Sequence, residues 1–304
     1  MPEENQKNGK FETWKLAVRP KTLPVAAAPV IFASALAYNE GFFRLGPALA
    51  ALLGALLLQI GANLANDVYD FQKGTDTSDR LGPLRVTQAE LLTPTQVKTG
   101  MWVTFALASL CGAYLISQSG WLILVIGILS IISAILYTAG PFPIGYHGLG
   151  ELFVFLFFGL AAVMGTYYAQ AGFISLSSLL FSVPIGLMAS SVLVVNNLRD
   201  IETDKKAQKM TLAVRFGEKW ARQEYILLIT VSYLIVFLLG MSDLISAWVM
   251  LSWLSLPLAY QSFKMVLELR GRAMNQLLAQ TGQLELIFAL LLSLGLVLAK
   301  FYAI

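Results

Sequence analysis

Long apolar blocks alternate with short polar segments along the chain. Residues 152–198, for example, contain no Asp, Glu, Lys or Arg. About 20 apolar residues cross the ~30 Å hydrocarbon layer of a bilayer as a helix, so this block is long enough for two spans. The same pattern predicts nine spans, at residues 22–39, 46–65, 98–117, 120–138, 152–171, 176–196, 224–241, 244–263 and 284–303.

Backbone groups in lipid must bond within the segment, which predicts that every span is an α-helix. The expected fold is therefore an all-α integral membrane bundle. Residues 1–21 form a polar segment, and residues 22–304 form a single membrane domain. Only 13% of the residues are charged and 57% are apolar, whereas a soluble domain carries about a quarter charged residues. One cysteine and one histidine exclude an internal disulfide and a Cys/His metal site.

The positive charges test this span count. With the N-terminus in the cytoplasm, 19 of the 21 Lys and Arg residues lie on the inner side, and only Arg44 and Lys300 lie outside. Inner segments of membrane proteins carry an excess of Lys and Arg. The split predicts a cytoplasmic N-terminus, an outer C-terminus and two long cytoplasmic loops at residues 66–97 and 197–223. The basic balance is a topology signal, and no nucleic-acid partner is expected.

The first acidic constellation follows the second span. If the helix continues beyond residue 65, Asn63, Asn66, Asp67 and Asp70 share one face, at i, i+3, i+4 and i+7. Asp76 follows in the loop.

The second constellation follows the sixth span, and consists of Asn196, Asn197, Asp200 and Asp204. Asn66/Asp70 and Asn196/Asp200 are offset by 130 residues and four spans, so both lie on the same side. The match predicts a parallel repeat with halves at about 22–150 and 151–304, and one site between them.

Clustered carboxylates repel one another, and a hard cation relieves that repulsion. Mg²⁺ takes one or two carboxylates together with water and phosphate oxygens. Bases lie beside the acids in both loops, and the mixture favours a Mg²⁺-bridged diphosphate over a bare Ca²⁺ site. These bases are Lys73, Arg80, Arg85, Arg199, Lys205, Lys209 and Arg215. The alternative is an ordinary pair of solvated loops, but amide side chains in apolar helices are costly unless they are used.

Two other features leave alternatives open. The Gly- and Pro-rich residues 137–151 form either a turn or a lid over the same face, and His147 is expected to be a loop residue rather than a base. Tyr69 and Tyr137 are either interfacial anchors or aromatic faces that shield a carbocation.

Four stretches carry a family resemblance: NLANDVYDFQKGTD, DRLGPLR, YTAGPFPIGYHGLGE and NNLRDIETDKKAQKMTLAVRFG. They resemble the UbiA superfamily of intramembrane prenyltransferases over nearly the whole chain. Within it, they are most similar to the branch that acts on 1,4-dihydroxy-2-naphthoate in menaquinone synthesis. The resemblance implies a nine-helix bundle whose aspartate motifs hold Mg²⁺ and an isoprenyl diphosphate.

The resemblance, taken with the charge pattern, implies roles for individual residues. Asp70, Asp200 and Asp204 are expected to be catalytic, and the expected metal ligands are Asp67, Asp70, Asp76, Asp200 and Asp204. The expected diphosphate-binding residues are Asn66, Lys73, Arg80, Asn197, Arg199, Lys205 and Lys209.

The implied reaction is Mg²⁺-dependent transfer of a polyprenyl group from its diphosphate to dihydroxynaphthoate, with loss of CO₂, in the bacterial inner membrane. Another aromatic acceptor such as 4-hydroxybenzoate, or a phytyl donor, is the alternative. A transporter is a more distant one, because the centres of the spans are expected to lack charge.

Overall fold

The computed structural model of the chain describes residues 9–75, 80–242 and 244–302. In these ranges every regular element is helical, which confirms the predicted class. The helices are α1 Lys10–Val18, α2 Leu23–Asn39, α3 Leu45–Gln72, α4 Pro94–Ser119, α5 Trp121–Leu136, α6 Gly150–Ala171, α7 Leu176–Arg199, α8 Ile201–Lys206, α9 Leu212–Phe216, α10 Glu218–Gly240, α11 Leu256–Glu268 and α12 Met274–Phe301.

Seven helical stretches within the described ranges are long and apolar enough to cross a membrane. They are Lys10–Asn39, Leu45–Gln72, Pro94–Ser119, Gly150–Ala171, Leu176–Arg199, Glu218–Gly240 and Gly271–Phe301. The fourth predicted span is the apolar but shorter α5, of 16 residues. The eighth is a 3₁₀ helix, Ala247–Ser255, that leads into α11. The structure therefore confirms a multi-pass helical protein with seven such stretches, and nine spans remain a prediction.

Helices α3 and α12 extend furthest beyond their predicted bounds. Helix α3 continues to Gln72, as the spacing of its polar residues requires. Helix α12 begins at Met274 rather than near residue 284, so Glu285 lies well inside it and is completely enclosed. The centres of the spans were expected to lack charge, and α12 encloses one ionisable side chain, Glu285. The apolar pattern detected the lipid-crossing part of the helix and missed its polar first turns.

Of three packing clusters, two hold the acid-bearing ends of α3 and α7, and the third packs Ala51 of α3 further from the acids. The larger contains buried residues of α2, α6, α7, α10 and α12, such as Phe32, Phe181 and Phe288. The smaller joins α1, α3 and α4 through residues such as Leu64 and Met101. Since the acid-bearing end of α3 belongs to one of these two clusters and that of α7 to the other, a site formed by both helix ends lies where the clusters meet.

Helices α6 and α7 approach each other closely at two glycines. A Cβ added at Gly159 would lie 2.7 Å from Gly186 Cα and 2.7 Å from the Ser182 carbonyl oxygen. Small residues allow such approach between membrane helices, where apolar burial gives little driving force. The contact aligns α7 and its acidic end against the helix that follows the 137–151 loop.

Replacing Gly159 with Ala should therefore destabilise the protein by about 1–3 kcal/mol, because the backbone of α7 must move away. A lower thermal midpoint of the purified protein in detergent would show this. The control is Gly112→Ala on α4, where a Cβ meets no atom within 4 Å. Equal midpoints for the two variants would contradict the close packing.

Candidate active site

The last turn of α3 presents Asp70 to two donors from other segments. Arg85 Nη2 lies 2.7 Å from Asp70 Oδ2, and the Tyr146 hydroxyl donates to Asp70 Oδ1 at 2.7 Å. Arg85 also donates through Nη1 to the carbonyl oxygen of Asn66. A buried carboxylate is stable only when such charge-assisted bonds replace water. Asp70 is thus charged, enclosed and held in one orientation.

Asp67, three residues before Asp70 on the same face of α3, makes different contacts. Its carboxylate accepts the backbone N–H groups of Val86 at 3.2 Å and Thr87 at 3.1 Å, and Arg19 Nη2 lies 3.6 Å away. Only 1% of Asp67 is exposed. Both of its oxygens anchor the segment that brings Arg85 to Asp70. Metal binding by Asp67 stays a prediction, and in the structure both of its carboxylate oxygens hold this loop.

At the end of α7, Arg199 donates two hydrogen bonds to the carboxylate of Asp200. Nε donates to Oδ1 at 2.8 Å and Nη2 donates to Oδ2 at 2.6 Å. Burial alone would raise the pKa of Asp200, but the Arg199 guanidinium outweighs it and holds that pKa below its ordinary value. The side chain of Arg199 is fully enclosed. Arg199 therefore holds Asp200 and does not itself line the acidic cleft described below, and direct binding of diphosphate by Arg199 stays a prediction.

Asp204, on the short helix α8, is less well satisfied. Lys209 Nζ lies 3.3 Å from Oδ1, while the buried Oδ2 has no hydrogen-bond partner among the described residues. Burial, reinforced by the charge of Asp200, raises the pKa of Asp204 to about 6 although Lys209 opposes the shift. A buried carboxylate oxygen with no donor is available to a cation.

The two constellations line one small cleft. Its walls are Asp70, Thr75, Arg80, Arg85, Asn196, Asp200, Thr203, Asp204 and Lys209. The fold thus brings together three predicted acids with Arg80 and Lys209. Thr75 and Thr203 were not identified from the sequence, and Arg85 was recognised only as one of the bases beside the acids. Asn196 was visible in the Asn-x-x-x-Asp spacing, but the family resemblance selected its neighbour.

That neighbour, Asn197, faces away from the cleft. Its amide donates to Glu151 Oε1 at 2.8 Å. Lys205 is exposed on the surface of α8 and does not line the cleft. Both were expected to bind diphosphate, and the structure places neither there, because successive residues on a helix point about 100° apart. Asp76 lies outside the described residues.

Lys73 and Asn66 occupy the border of the cleft. Lys73 Nζ donates to the Gly140 carbonyl oxygen at 3.4 Å and lies 4.8 Å from the centre of the Tyr146 ring. The Asn66 side-chain oxygen accepts the Thr138 hydroxyl at 3.2 Å. Each is close to the acids, and neither lines the cleft itself.

The 137–151 loop contacts the cleft residues Asp70 and Thr75 through Tyr146. The Tyr146 hydroxyl contacts Asp70 and lies 3.0 Å from Thr75 Oγ1, while its carbonyl oxygen accepts the Met210 N–H at 3.0 Å. Tyr146 therefore joins the first motif to the segment after the second. His147 is a loop residue that stacks on Phe142 and pairs through Nδ1 with the Pro143 carbonyl oxygen.

A large apolar cavity of about 440 Å³ lies beside the cleft, between α3, α4, α5 and α6. Asn66 and Tyr137 form part of its wall, and Asn66 is one helical turn from Asp70. Tyr69 does not line this cavity, and Lys98 Nζ lies 5.4 Å from the centre of its ring. Of the two aromatic candidates, only Tyr137 faces the cavity.

The acids fit a Mg²⁺ ion that arrives with a phosphate ligand. Among the described residues, no group of three Asp, Glu, His or Cys side chains is assembled as a complete metal site. Mg²⁺ does not need one, because it keeps water and phosphate oxygens and takes only one or two carboxylates. Asp70, Asp200 and Asp204 line the same cleft, and Asp204 Oδ2 is buried without a donor. These are hard oxygen ligands in a basic surrounding.

Comparison with known proteins identifies the family. Residues 26–279 match the model of the UbiA prenyltransferase family. The chain belongs to this family. Two relatives are 1,4-dihydroxy-2-naphthoate octaprenyltransferases. That of Escherichia coli (strain K12) is 40% identical over 98% of this chain and 99% of its own length. That of Mycobacterium tuberculosis is also 40% identical, over 92% and 95%.

Solved structures agree with the family assignment at the level of the fold. A UbiA homolog from Archaeoglobus fulgidus bound to DMAPP and Mg²⁺ superimposes with a TM-score of 0.64 at 16% identity, over 94% of this chain and 99% of that one. An apo UbiA homolog from Aeropyrum pernix K1 gives a TM-score of 0.68 at 16% identity, over 90% and 97%.

In this UbiA family member, Asp67→Asn and Asp204→Asn should shift stability in opposite directions. The first places an amide N–H against a backbone N–H and lowers the thermal midpoint. The second removes a poorly paired buried charge. It should stabilise the metal-free protein at pH 7.5 by on the order of 1–2 kcal/mol.

The gain from Asp204→Asn should depend on pH. The folded pKa of about 6 lies above the unfolded value of about 3.9, so the unfavourable charge is complete above pH 6. As the pH falls from 6 to 4 the folded wild type takes up the proton and the gain disappears. Thermal unfolding of both variants with the wild type across this range measures it. A constant gain would contradict the assignment to Asp204.

Proposed function

We propose that the chain transfers a polyprenyl group from polyprenyl diphosphate to 1,4-dihydroxy-2-naphthoate. The products are a prenylated naphthoquinol, CO₂ and diphosphate. The observation that carries this proposal is that the apolar cavity and the acidic cleft meet along one face of α3. Asn66 lines the apolar cavity, and Asp70, one turn on, lines the acidic cleft.

The two spaces suit the two ends of such a donor. A diphosphate carries several negative charges and needs cations, while its polyprenyl tail needs an apolar enclosure. The cleft supplies Arg80, Arg85 and Lys209, and the cavity supplies an apolar wall of about 440 Å³. A site for a water-soluble ligand would not need a large apolar cavity beside its basic cleft.

The choice of acceptor rests on the relatives. Five relatives at 33–40% identity are 1,4-dihydroxy-2-naphthoate octaprenyltransferases, and each alignment covers at least 92% of this chain. We therefore favour dihydroxynaphthoate over 4-hydroxybenzoate as the acceptor. Tyr137, which lines the cavity together with Asn66, would contact a ring held at that end.

We assign Mg²⁺ binding to Asp70, Asp200 and Asp204. The A. fulgidus homolog bound to Mg²⁺ supports a divalent metal in this fold. When bound, the metal would neutralise charge on the diphosphate as it leaves. Arg80, Arg85 and Lys209 would take the remaining phosphate charge, since charge-assisted bonds are strongest where charge develops.

The chain's apolar wall has a chemical role in this scheme. The allylic C–O bond breaks, and the electron pair leaves with diphosphate. The ring carbon that bears the carboxylate attacks the allylic carbon, and the bond to CO₂ then supplies the electron pair that restores aromaticity. No ring proton has to be removed at that carbon. Exclusion of water by the cavity prevents capture of the cation.

The same proposal places the protein in the bacterial inner membrane as a single bundle of nine spans with two repeat halves. The 19-to-2 distribution of positive charge supports a cytoplasmic N-terminus and an active site on the cytoplasmic side. Lipid is the expected surrounding of the exposed apolar residues of α4 and α5, such as Leu110 and Ile128.

Membranes that contain the protein should form a lipid-soluble product from polyprenyl diphosphate and dihydroxynaphthoate, and not from 4-hydroxybenzoate. Chelation with EDTA should stop the reaction and added Mg²⁺ should restore it. Offering the two acceptors separately decides between them, and a phytyl diphosphate arm tests the donor. Preference for the benzoate would overturn the acceptor assignment.

Asp70→Ala and Asp200→Ala should each lower turnover by roughly 100-fold or more, because each removes an acid of the cleft. Glu202→Ala is the matched control, since Glu202 is an exposed acid between Asp200 and Asp204 that does not line the cleft. Full activity of either aspartate variant, or activity in EDTA, would refute the metal assignment.

A further inference from the structure

An amide on the last helix connects the two halves of the cleft. Asn275 is the second residue of α12, far in sequence from both acidic constellations. Its Oδ1 accepts Arg199 Nη1 at 2.8 Å, and its Nδ2 donates to the Leu81 carbonyl oxygen at 2.9 Å. The two ends of one side chain therefore contact the second motif and the first loop.

The Arg199 contact bears on Asp200. All three guanidinium nitrogens of Arg199 donate hydrogen bonds. Nε and Nη2 donate to the Asp200 carboxylate, Nη2 also donates to Asn196 Oδ1 at 2.8 Å, and Nη1 donates to Asn275 Oδ1. A guanidinium is planar and rigid, so fixing one edge fixes the other. Asn275 thereby sets the plane in which Arg199 presents its two bonds to the Asp200 carboxylate.

The Leu81 contact bears on Arg80, the neighbouring residue whose side chain lines the cleft. This segment packs directly on Arg199. A Cβ added at Gly82 would lie 2.8 Å from Arg199 Nη2 and 3.1 Å from Arg80 Nη2. The absence of a side chain at Gly82 is what lets the first loop approach the second motif. The hydrogen bond from Asn275 to the Leu81 carbonyl oxygen holds the first loop in this position.

Only an amide makes both contacts. Oδ1 accepts and Nδ2 donates, whereas a carboxylate lacks the donor for Leu81 and an aliphatic side chain lacks both groups. Asn275 is half-buried, so other residues can be accommodated there without opening the core.

We propose that Asn275 is a positioning residue that holds Asp200, through Arg199, and Arg80, through the Leu81 backbone, at the spacing that Mg²⁺-diphosphate requires. The proposal rests on the diphosphate-binding function proposed above. Asn275 itself lines neither the cleft nor the apolar cavity.

The test uses the purified full chain and Asn275→Leu, which keeps the volume and removes both hydrogen bonds. We expect the Mg²⁺ concentration for half-maximal activity and the KM for polyprenyl diphosphate to rise about tenfold. The KM for the aromatic acceptor should stay within twofold, because the cavity is unchanged. The control is Gln280→Leu on the same helix, which loses a 2.9 Å bond to Ser262 Oγ, away from the cleft.

A binding measurement separates failure of this inference from failure of the proposed function. Inorganic diphosphate is titrated into the protein in the presence of Mg²⁺, and binding is measured by isothermal titration calorimetry. The wild type should show saturable binding, and Asn275→Leu should bind about tenfold more weakly. No Mg²⁺-dependent binding by the wild type would overturn the proposed function. Equal binding by wild type and variant would overturn the role of Asn275 alone.

Two further variants guard against a purely structural effect. Gly82→Ala disturbs the same contact from the other side, and should weaken diphosphate binding in the same direction. Asn275→Ala replaces Asn275→Leu if the latter does not fold. A lower thermal midpoint in these variants, with unchanged Mg²⁺ and diphosphate constants, would show that Asn275 only stabilises the fold and would refute the proposal.

Discussion

Three buried carboxylates must coexist within one small cleft, and each has its own cation. Arg85 pairs with Asp70, Arg199 with Asp200 and Lys209 with Asp204. Without these pairs the acids would take up protons, because burial and mutual repulsion both disfavour the charged form. The loops that carry the cations must therefore fold over the ends of α3 and α7, and the geometry of this face follows from that requirement.

The pairs are unequal in strength, and the difference has a functional meaning. Asp200 is held by a bidentate guanidinium and Asp70 by a guanidinium and a phenol, while Asp204 has one lysine and an unbonded oxygen. Under the proposed Mg²⁺ assignment, a metal that brings its own phosphate ligands would replace the weakest of these pairs first. Lys209 would then be released from Asp204 toward the phosphate, since both face the same cleft.

The basic residues of the two loops divide into two groups. Arg199 is enclosed and its bonds serve Asp200 and its neighbours, whereas Arg80, Arg85 and Lys209 line the cleft. The same division separates the acids, since Asp67 holds backbone N–H groups and Asp70 faces the cleft. A motif rich in Asp and Arg is thus partly a binding site and partly the framework that supports it.

The amino-acid sequence by itself determined the helical membrane class, the extension of α3 through its polar face and the pairing of two acidic helix ends on one side. These follow from apolar length, helical period and the distribution of charge. Tertiary structure alone decided which polar neighbours face the cleft. Asp67 and Asp70 share a broad helix face, and Asn196 and Asn197 are adjacent, so periodicity cannot separate them. Hydrogen bonds to segments distant in sequence separate them. Asp67 accepts a backbone N–H of the 80–87 loop, and Asn197 donates to Glu151. Asn275, on the last helix, donates to the Leu81 carbonyl oxygen beside the cleft.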